Sequence, residues 1–254
     1  MNRAAAFATM VLAGVMVVGA LVIVGAMAWW TISDRDEPSS SVVALEVPPT
    51  VAAARPAFPV RSQNAVQPDE AWVSRTAEAA GIPEVAMRAY GRAAILAGRD
   101  LPECKMAWNT LAGIGWNESH HGTIKGRSLN ADGTSSRPIL GPVLDGSGAF
   151  AAIRATEASK QWHDNARWDR AVGPMQFISE SWERWGSDAD GDGVANPHDL
   201  DDAAWTAARY LCASGADLTT GEGWRRAVLS YNRSTEYADA VFRAATAYAT
   251  RVAS

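Results

Sequence analysis

The sequence predicts a mainly α-helical domain, held outside the cytoplasm by one membrane-spanning helix and a proline-rich tether. Three observations carry this reading. Residues Ala4 to Ile32 include no charged side chain. From Asp69 onward, Asp, Pro and Gly punctuate apolar runs of helical length. The Gly-, Ser-, Asp- and Asn-rich stretches that build loops are concentrated between Ser119 and Arg170.

The uncharged run comes first. At 1.5 Å per residue it reaches roughly 40 Å as a helix, more than the ~30 Å hydrocarbon core of a bilayer. A secretory signal core is shorter, about 7–15 residues. Residues 1–32 are therefore read as a membrane anchor, with Trp29 and Trp30 at the outer interface. Arg3 and the amino terminus flank one side and Asp34-Arg35-Asp36-Glu37 the other, so the positive-inside rule places the rest of the chain outside the cell membrane. Ala26-Met27-Ala28 resembles a signal-peptidase site, which leaves a cleaved, secreted form open. Residues 33–68, with Pro48-Pro49 and Arg55-Pro56-Ala57-Phe58-Pro59, lack a sustained period and read as a semi-extended linker. Residues 69–254 form the exported domain.

Composition narrows the function. With 254 residues and 48% hydrophobic content, the chain can bury one sizeable core. A formal charge of -5 and the lack of a basic stripe disfavour a nucleic-acid partner. Eleven Trp are many; their faces suit sugars, but core packing is the commoner use.

Helix punctuation then orders the domain. Asp69-Glu70 open a helix that closes at Gly81, Pro83 starts a second that runs to Gly98, and Pro102 starts a third that leads to Glu118. Later helices are expected at 179–185, 201–213, 224–230 and 236–251, and a short hairpin is expected among the loops of 119–170. Cys104 and Cys212 fall on separate helices, and in an exported domain an even pair reads as a disulfide. Two cysteines alone make no zinc site, and His120-His121 lack a partner at metal spacing.

Residues Asp188 to Asp199 fit an EF-hand loop. Asp188, Asp190, Asp192, Asn196 and Asp199 supply oxygens at positions 1, 3, 5, 9 and 12, Gly193 holds position 6, and Val194 offers its carbonyl at position 7. Alternate carboxylates around a tight turn suit a hard cation, so Asp188, Asp190, Asp192, Val194 and Asp199 are the expected ligands of a structural Ca2+. Asp199 stands where Glu is usual, and its shorter arm favours one-toothed binding. No organic cofactor is implied.

The stretch Ile114-Gly115-Trp116-Asn117-Glu118-Ser119-His120-His121-Gly122 places one carboxylate at the end of an apolar helix, with Trp116 near enough to desolvate it. Desolvation raises a carboxyl pKa and suits it to general-acid work near neutrality. Two further motifs are Gly173-Pro174-Met175-Gln176 and Ser230-Tyr231-Asn232. Together and in this order, the three resemble those of the lytic transglycosylases of peptidoglycan, lysozyme-like enzymes, and in particular the membrane-bound lytic murein transglycosylase B branch. The anchored, tethered arrangement is similar to that of actinobacterial relatives. The resemblance spans roughly 69–254.

It implies a lysozyme-like fold, peptidoglycan glycan strands as the partner, and Glu118 as catalytic acid. Ser119 would orient the acid or the substrate, Met175 and Gln176 would line the sugar cleft, and Tyr231 and Asn232 would face the acid and position the reacting sugar. Pro174 departs from the Leu or Tyr often found at its position. The residues leave two other readings open: a hydrolytic muramidase using Asp132, Asp145, Asp164, Asp169 or Glu180 as a second carboxylate, and a non-catalytic, calcium-stabilised peptidoglycan binder.

Overall fold

The computed structural model describes residues 46–54, 56, 66–148 and 151–254, all within one compact unit. The anchor expected over 1–32 lies outside the described residues, as does most of the linker. Among the described residues no helix is long and apolar enough to cross a membrane.

Among the described residues are seven α-helices and one two-stranded sheet: α1 (Glu70–Ala80), α2 (Glu84–Asp100), α3 (Trp108–Ser119), β1 (Leu140–Val143), β2 (Arg170–Val172), α4 (Ser179–Trp185), α5 (Leu200–Cys212), α6 (Gly221–Tyr231) and α7 (Thr235–Ala253). Local chemistry sets their ends. The Asp69 carboxylate accepts from Trp72 N and caps α1. Gly81, at φ 70°, supplies the left-handed residue that closes it. The helix expected from Pro102 begins later. Pro102–Cys104 is a 3-10 turn, Lys105 turns left-handed at φ 55°, and α3 starts only at Trp108. Proline at the first position is as compatible with a 3-10 turn as with an α-helix, since both leave its missing N–H unused.

The core forms where α2 lies along α5 and α3 along α7. Trp108, Trp224, Tyr90, Met87, Leu111 and Ile114 are its largest fully buried side chains. Close approach of α3 to α7 depends on Gly113, where a Cβ would stand 2.9 Å from Val241 O. Five Trp (72, 108, 182, 205 and 224) are buried, so most of the described tryptophans pack rather than bind. Cys104 and Cys212 form the expected disulfide, with Cα atoms 5.5 Å apart, tying the 3-10 turn before α3 to the end of α5. Closing a loop of this length stabilises by up to about 5 kcal/mol in the chain-entropy account.

The loop region resolves into antiparallel β1 and β2, with Leu140 opposite Val172 and Val143 opposite Arg170. Its strands are joined by a long excursion rather than a tight turn, since residues 144–169 lie between them.

Parts of the linker pack on the domain. Trp108 Nε1 donates to Ala52 O at 3.2 Å, and Val47, Val51 and Ala54 lie against the core. Val66 is buried, with its carbonyl accepting from Arg92 Nε at 2.8 Å. Arg92 also pairs with buried Asp201 on α5. Over their described lengths these stretches carry no helix and lie on the domain surface.

Candidate active site

Glu118 stands in the last turn of α3, where the helix meets a turn, two helix ends and the start of α7. The helix stops because His120 and His121 both adopt left-handed backbone (φ 51° and 60°) and Gly122 follows at φ 84°. That stop leaves Glu118 half-buried. Its Oε1 accepts a hydrogen bond of 2.5 Å from the Tyr237 hydroxyl, in the first turn of α7. Burial pushes the Glu118 carboxyl up from its ordinary 4.5 to about 7, against the Tyr237 bond, which pulls it down. Near neutrality such a carboxyl is protonated in a large fraction of molecules and can give up its proton.

Trp116 is not the desolvating wall. It is 44% exposed and stacks on His120, with ring centroids 4.3 Å apart. On a helix, neighbours two residues apart point away from each other, so Trp116 and Glu118 take different faces. Tyr231 and Tyr237 stand near the carboxyl instead, and burial together with the Glu118 charge raises both phenols above the ordinary range.

Ser119 is fully buried. Its Oγ donates to Pro174 O at 2.6 Å and accepts from Gly122 N at 2.7 Å. A hydroxyl with both roles filled cannot also reach a substrate, so Ser119 fastens the end of α3 to the Gly173-Pro174 turn. Met175 is likewise fully buried, with its Sδ facing Gly115 of α3. Gln176 is half-buried at φ 52°, and its Nε2 donates to Gly173 O at 2.9 Å. The Tyr231 hydroxyl donates to Met175 O at 2.7 Å, so it braces that turn, while the direct partner of the acid is Tyr237. Asn232 is exposed at the end of α6, where its Oδ1 accepts from Ser234 N. Tyr237 escaped the sequence reading. The available signal was its place at the start of a helix capped by Ser234, five residues beyond Asn232.

Gln176 and Tyr231 line a polar cleft of about 440 Å³ between α4 and the end of α6. A second, mostly apolar cavity of about 420 Å³ lies between residues 47–56 and the start of α3 and shares no residue with the first. The cleft is the more relevant of the two, because Gln176, Ser230 and Tyr231 of the motifs line it; Glu118, Ser119, Met175 and Asn232 are not among its lining residues.

The five further carboxylates have different fates. Asp169 is buried and accepts from Ser179 N, Ser179 Oγ, Arg170 N and His163 Nε2. Asp164 pairs with Arg170, and Asp132 and Asp145 hold turns through Thr134 and Ser147. Of the five, Glu180 lines the cleft.

In the acidic loop, Asp188, Asp190 and Asp202 bring carboxylate oxygens within 4.8 Å of one another. Asp192 and Asp199 are outside that group. Asp192 accepts from Val194 N, and Asp199 caps α5 by accepting from Asp201 N. Asp202 joins Asp188 and Asp190 because α5 begins at Leu200 and its first turn carries residue 202 back over the loop. Burial pushes Asp202 up to about 7, although Ala189 N and Asn196 N donate to it. A cluster of three acids, one of them desolvated, fits a hard divalent cation.

The loop also abuts the motif turn. A Cβ on Gly173, at φ 76°, would fall 1.7 Å from Pro197 O, so only glycine lets the two segments meet.

A family model described as Transglycosylase SLT domain matches residues 149–229. The match takes in β2, the Gly173–Gln176 turn, the acidic loop, α4, α5 and most of α6, and begins beyond Glu118. Neither the search of curated proteins nor that of solved structures returned a match.

Proposed function

We propose that the chain is a lytic transglycosylase of the membrane-bound B type, cleaving the β-1,4 bond between N-acetylmuramic acid and N-acetylglucosamine in peptidoglycan. The similarity of residues 149–229 to a transglycosylase domain supports the activity class. The observation that carries the chemistry is the Glu118 carboxyl, half-buried, raised to about 7 and hydrogen-bonded by Tyr237.

Protonated Glu118 gives its proton to the glycosidic oxygen as the bond to the muramoyl C1 breaks. The resulting carboxylate takes the proton of the muramoyl C6 hydroxyl, whose oxygen closes onto C1. The product is a 1,6-anhydromuramoyl end, water is not consumed, and Glu118 regains its proton. The internal hydroxyl serves as nucleophile at high effective concentration, so a second carboxylate is not needed. The engagement of Asp132, Asp145, Asp164 and Asp169 elsewhere agrees with this reading. A bond from Tyr237 holds the acid in one orientation through both proton transfers.

In this reading Asp188, Asp190 and Asp202 hold a structural Ca2+, which neutralises their mutual repulsion and firms the loop against Gly173. The N-terminal segment anchors the enzyme in the cell membrane with its catalytic unit on the extracytoplasmic side.

Mass spectrometry of fragments released from peptidoglycan by the full chain tests the proposal. Muramoyl ends lighter than the hydrolysed form by one water are expected. Reducing ends that carry the water would make the enzyme a muramidase and turn attention to Glu180. Absence of any release would leave a binding module.

A further inference from the structure

The cleft beside Gln176 and Tyr231 carries charges that the glycan reaction does not use. Arg184 on α4 and Arg233, in the turn between α6 and α7, both line it, as does Glu180. All three side chains are exposed. Neither arginine forms an ion pair among the described residues, unlike Arg170, Arg225 and Arg226, although several other surface arginines are also without one.

The telling case is on α4. Glu180 and Arg184 stand four residues apart with the acid N-terminal, the favourable order for a helical ion pair. They do not pair. The Arg184 guanidinium lies instead over the Trp185 ring, 5.3 Å from its centroid, and Trp185 packs edge-on against Tyr210. Tyr210 in turn meets Tyr231 edge-on at 5.6 Å. An aromatic row thus leads from Tyr231, beside the acid, out to an arginine held by its flat face with its N–H edges free.

A glycan backbone of N-acetylated sugars offers no charge to match these groups. The peptide stems on its muramoyl residues do: their acidic residues and C termini carry carboxylates, and an uncrosslinked diamino residue carries an ammonium. Guanidinium forks bind carboxylates through paired, charge-assisted hydrogen bonds. We infer that this cleft is a stem-binding site, in which Arg184 and Arg233 take stem carboxylates and Glu180 faces the stem ammonium. The inference rests on peptidoglycan being the substrate, and adds that the enzyme discriminates strands by their peptides.

The test uses the full chain carrying Glu118→Gln, so that strands are held and not cut. Its affinity is measured for glycan fragments that retain their stems and for the same fragments after amidase stripping, which leaves only the lactyl carboxylate. The arginine-bearing chain should bind stemmed fragments roughly tenfold more tightly, a preference that weakens with salt. Arg184→Gln with Arg233→Gln should bring the two affinities within about twofold. Equal affinities before substitution, or a preference that survives it, would overturn the inference. Stem preference without any strand cleavage by the unsubstituted chain would sink the transglycosylase reading alone.

Discussion

Ser119 and Pro174 are joined by a hydrogen bond of 2.6 Å from the serine Oγ to the proline carbonyl, buried behind Glu118. Through it the end of α3, which bears the acid, is fixed to the turn that carries Met175 and Gln176. The same turn rests through Gly173 on the carbonyl of Pro197, in the acidic loop. Three segments far apart in sequence thereby meet within one chain of contacts. Ser119→Ala should leave Pro174 O and Gly122 N without their partner, costing roughly 2–3 kcal/mol of stability. It should lower kcat more than it raises KM, because the acid loses its brace while the cleft keeps its lining. Thermal melts and steady-state kinetics on peptidoglycan check both parts.

Glu118 itself is held at a cost to stability. Its folded pKa, about 7, lies above its ordinary 4.5, so the folded state holds a proton the unfolded state has released. Stability linked to this group is present below pH 4.5 and is lost as pH rises towards 7. Glu118→Gln should therefore raise Tm by a few degrees at pH 8 and leave it nearly unchanged at pH 4, while abolishing turnover. A Tm difference between the two forms that is the same at both pH values would contradict the desolvation of the acid.

Removing the Tyr237 hydroxyl has a signed consequence. Its hydrogen bond lowers the Glu118 pKa, so Tyr237→Phe should push that pKa further up. The alkaline fall in kcat/KM, which follows loss of the acid's proton, should then move to higher pH. Loss of orientation should also cut kcat by about tenfold at the optimum. A full pH–rate profile of both forms separates the shift from the loss.

Much of this arrangement was legible in the sequence, and what was missed shares a cause. Gly81, Pro83 and the 179–185 run mark helix ends through local backbone chemistry, and the structure follows them within a residue or two. Glu118 was legible because a carboxylate at the end of an apolar helix is conspicuous. Tyr237 and Asp202 were not, because each meets its neighbours only across space: one from the first turn of α7, the other from the first turn of α5. Trp116 was misread for the opposite reason, since nearness in sequence on a helix does not mean a shared face. The packing of Val47, Val51 and Val66 on the domain was hidden by the prolines around them, which signal an extended chain and say nothing of what it lies against.

The acidic loop gives a test that tells two aspartates apart. With calcium a hundredfold above its Kd, the chain should gain about 2.7 kcal/mol. Asp202→Asn should abolish that gain, because residue 202 completes the cluster with Asp188 and Asp190. Asp199→Asn should keep it, since Asn also caps a helix well and the group is outside the cluster. Melts with and without a chelator read the difference. A lost calcium response in Asp199→Asn and a retained one in Asp202→Asn would restore the loop as first read from its spacing.

His121 should set the acid side of the stability profile. It is buried between two phenols, Nδ1 at 2.9 Å from the Tyr90 hydroxyl and Nε2 at 2.9 Å from that of Tyr248. Burial, with His120 adding to it, holds the imidazole down to about 3 from its ordinary 6.5. The folded state thus refuses a proton that the unfolded state accepts, and stability linked to His121 is lost as pH falls from 6.5 towards 3. His121→Gln keeps a neutral side chain with a donor and an acceptor but does not titrate. It should cost roughly 1–3 kcal/mol at pH 7 through poorer packing and bonding. On acidification to pH 4.5 the gap between the two forms should narrow, as only the native chain carries the proton penalty. A gap of constant size at both pH values would show that the buried imidazole accepts its proton as readily as a free one.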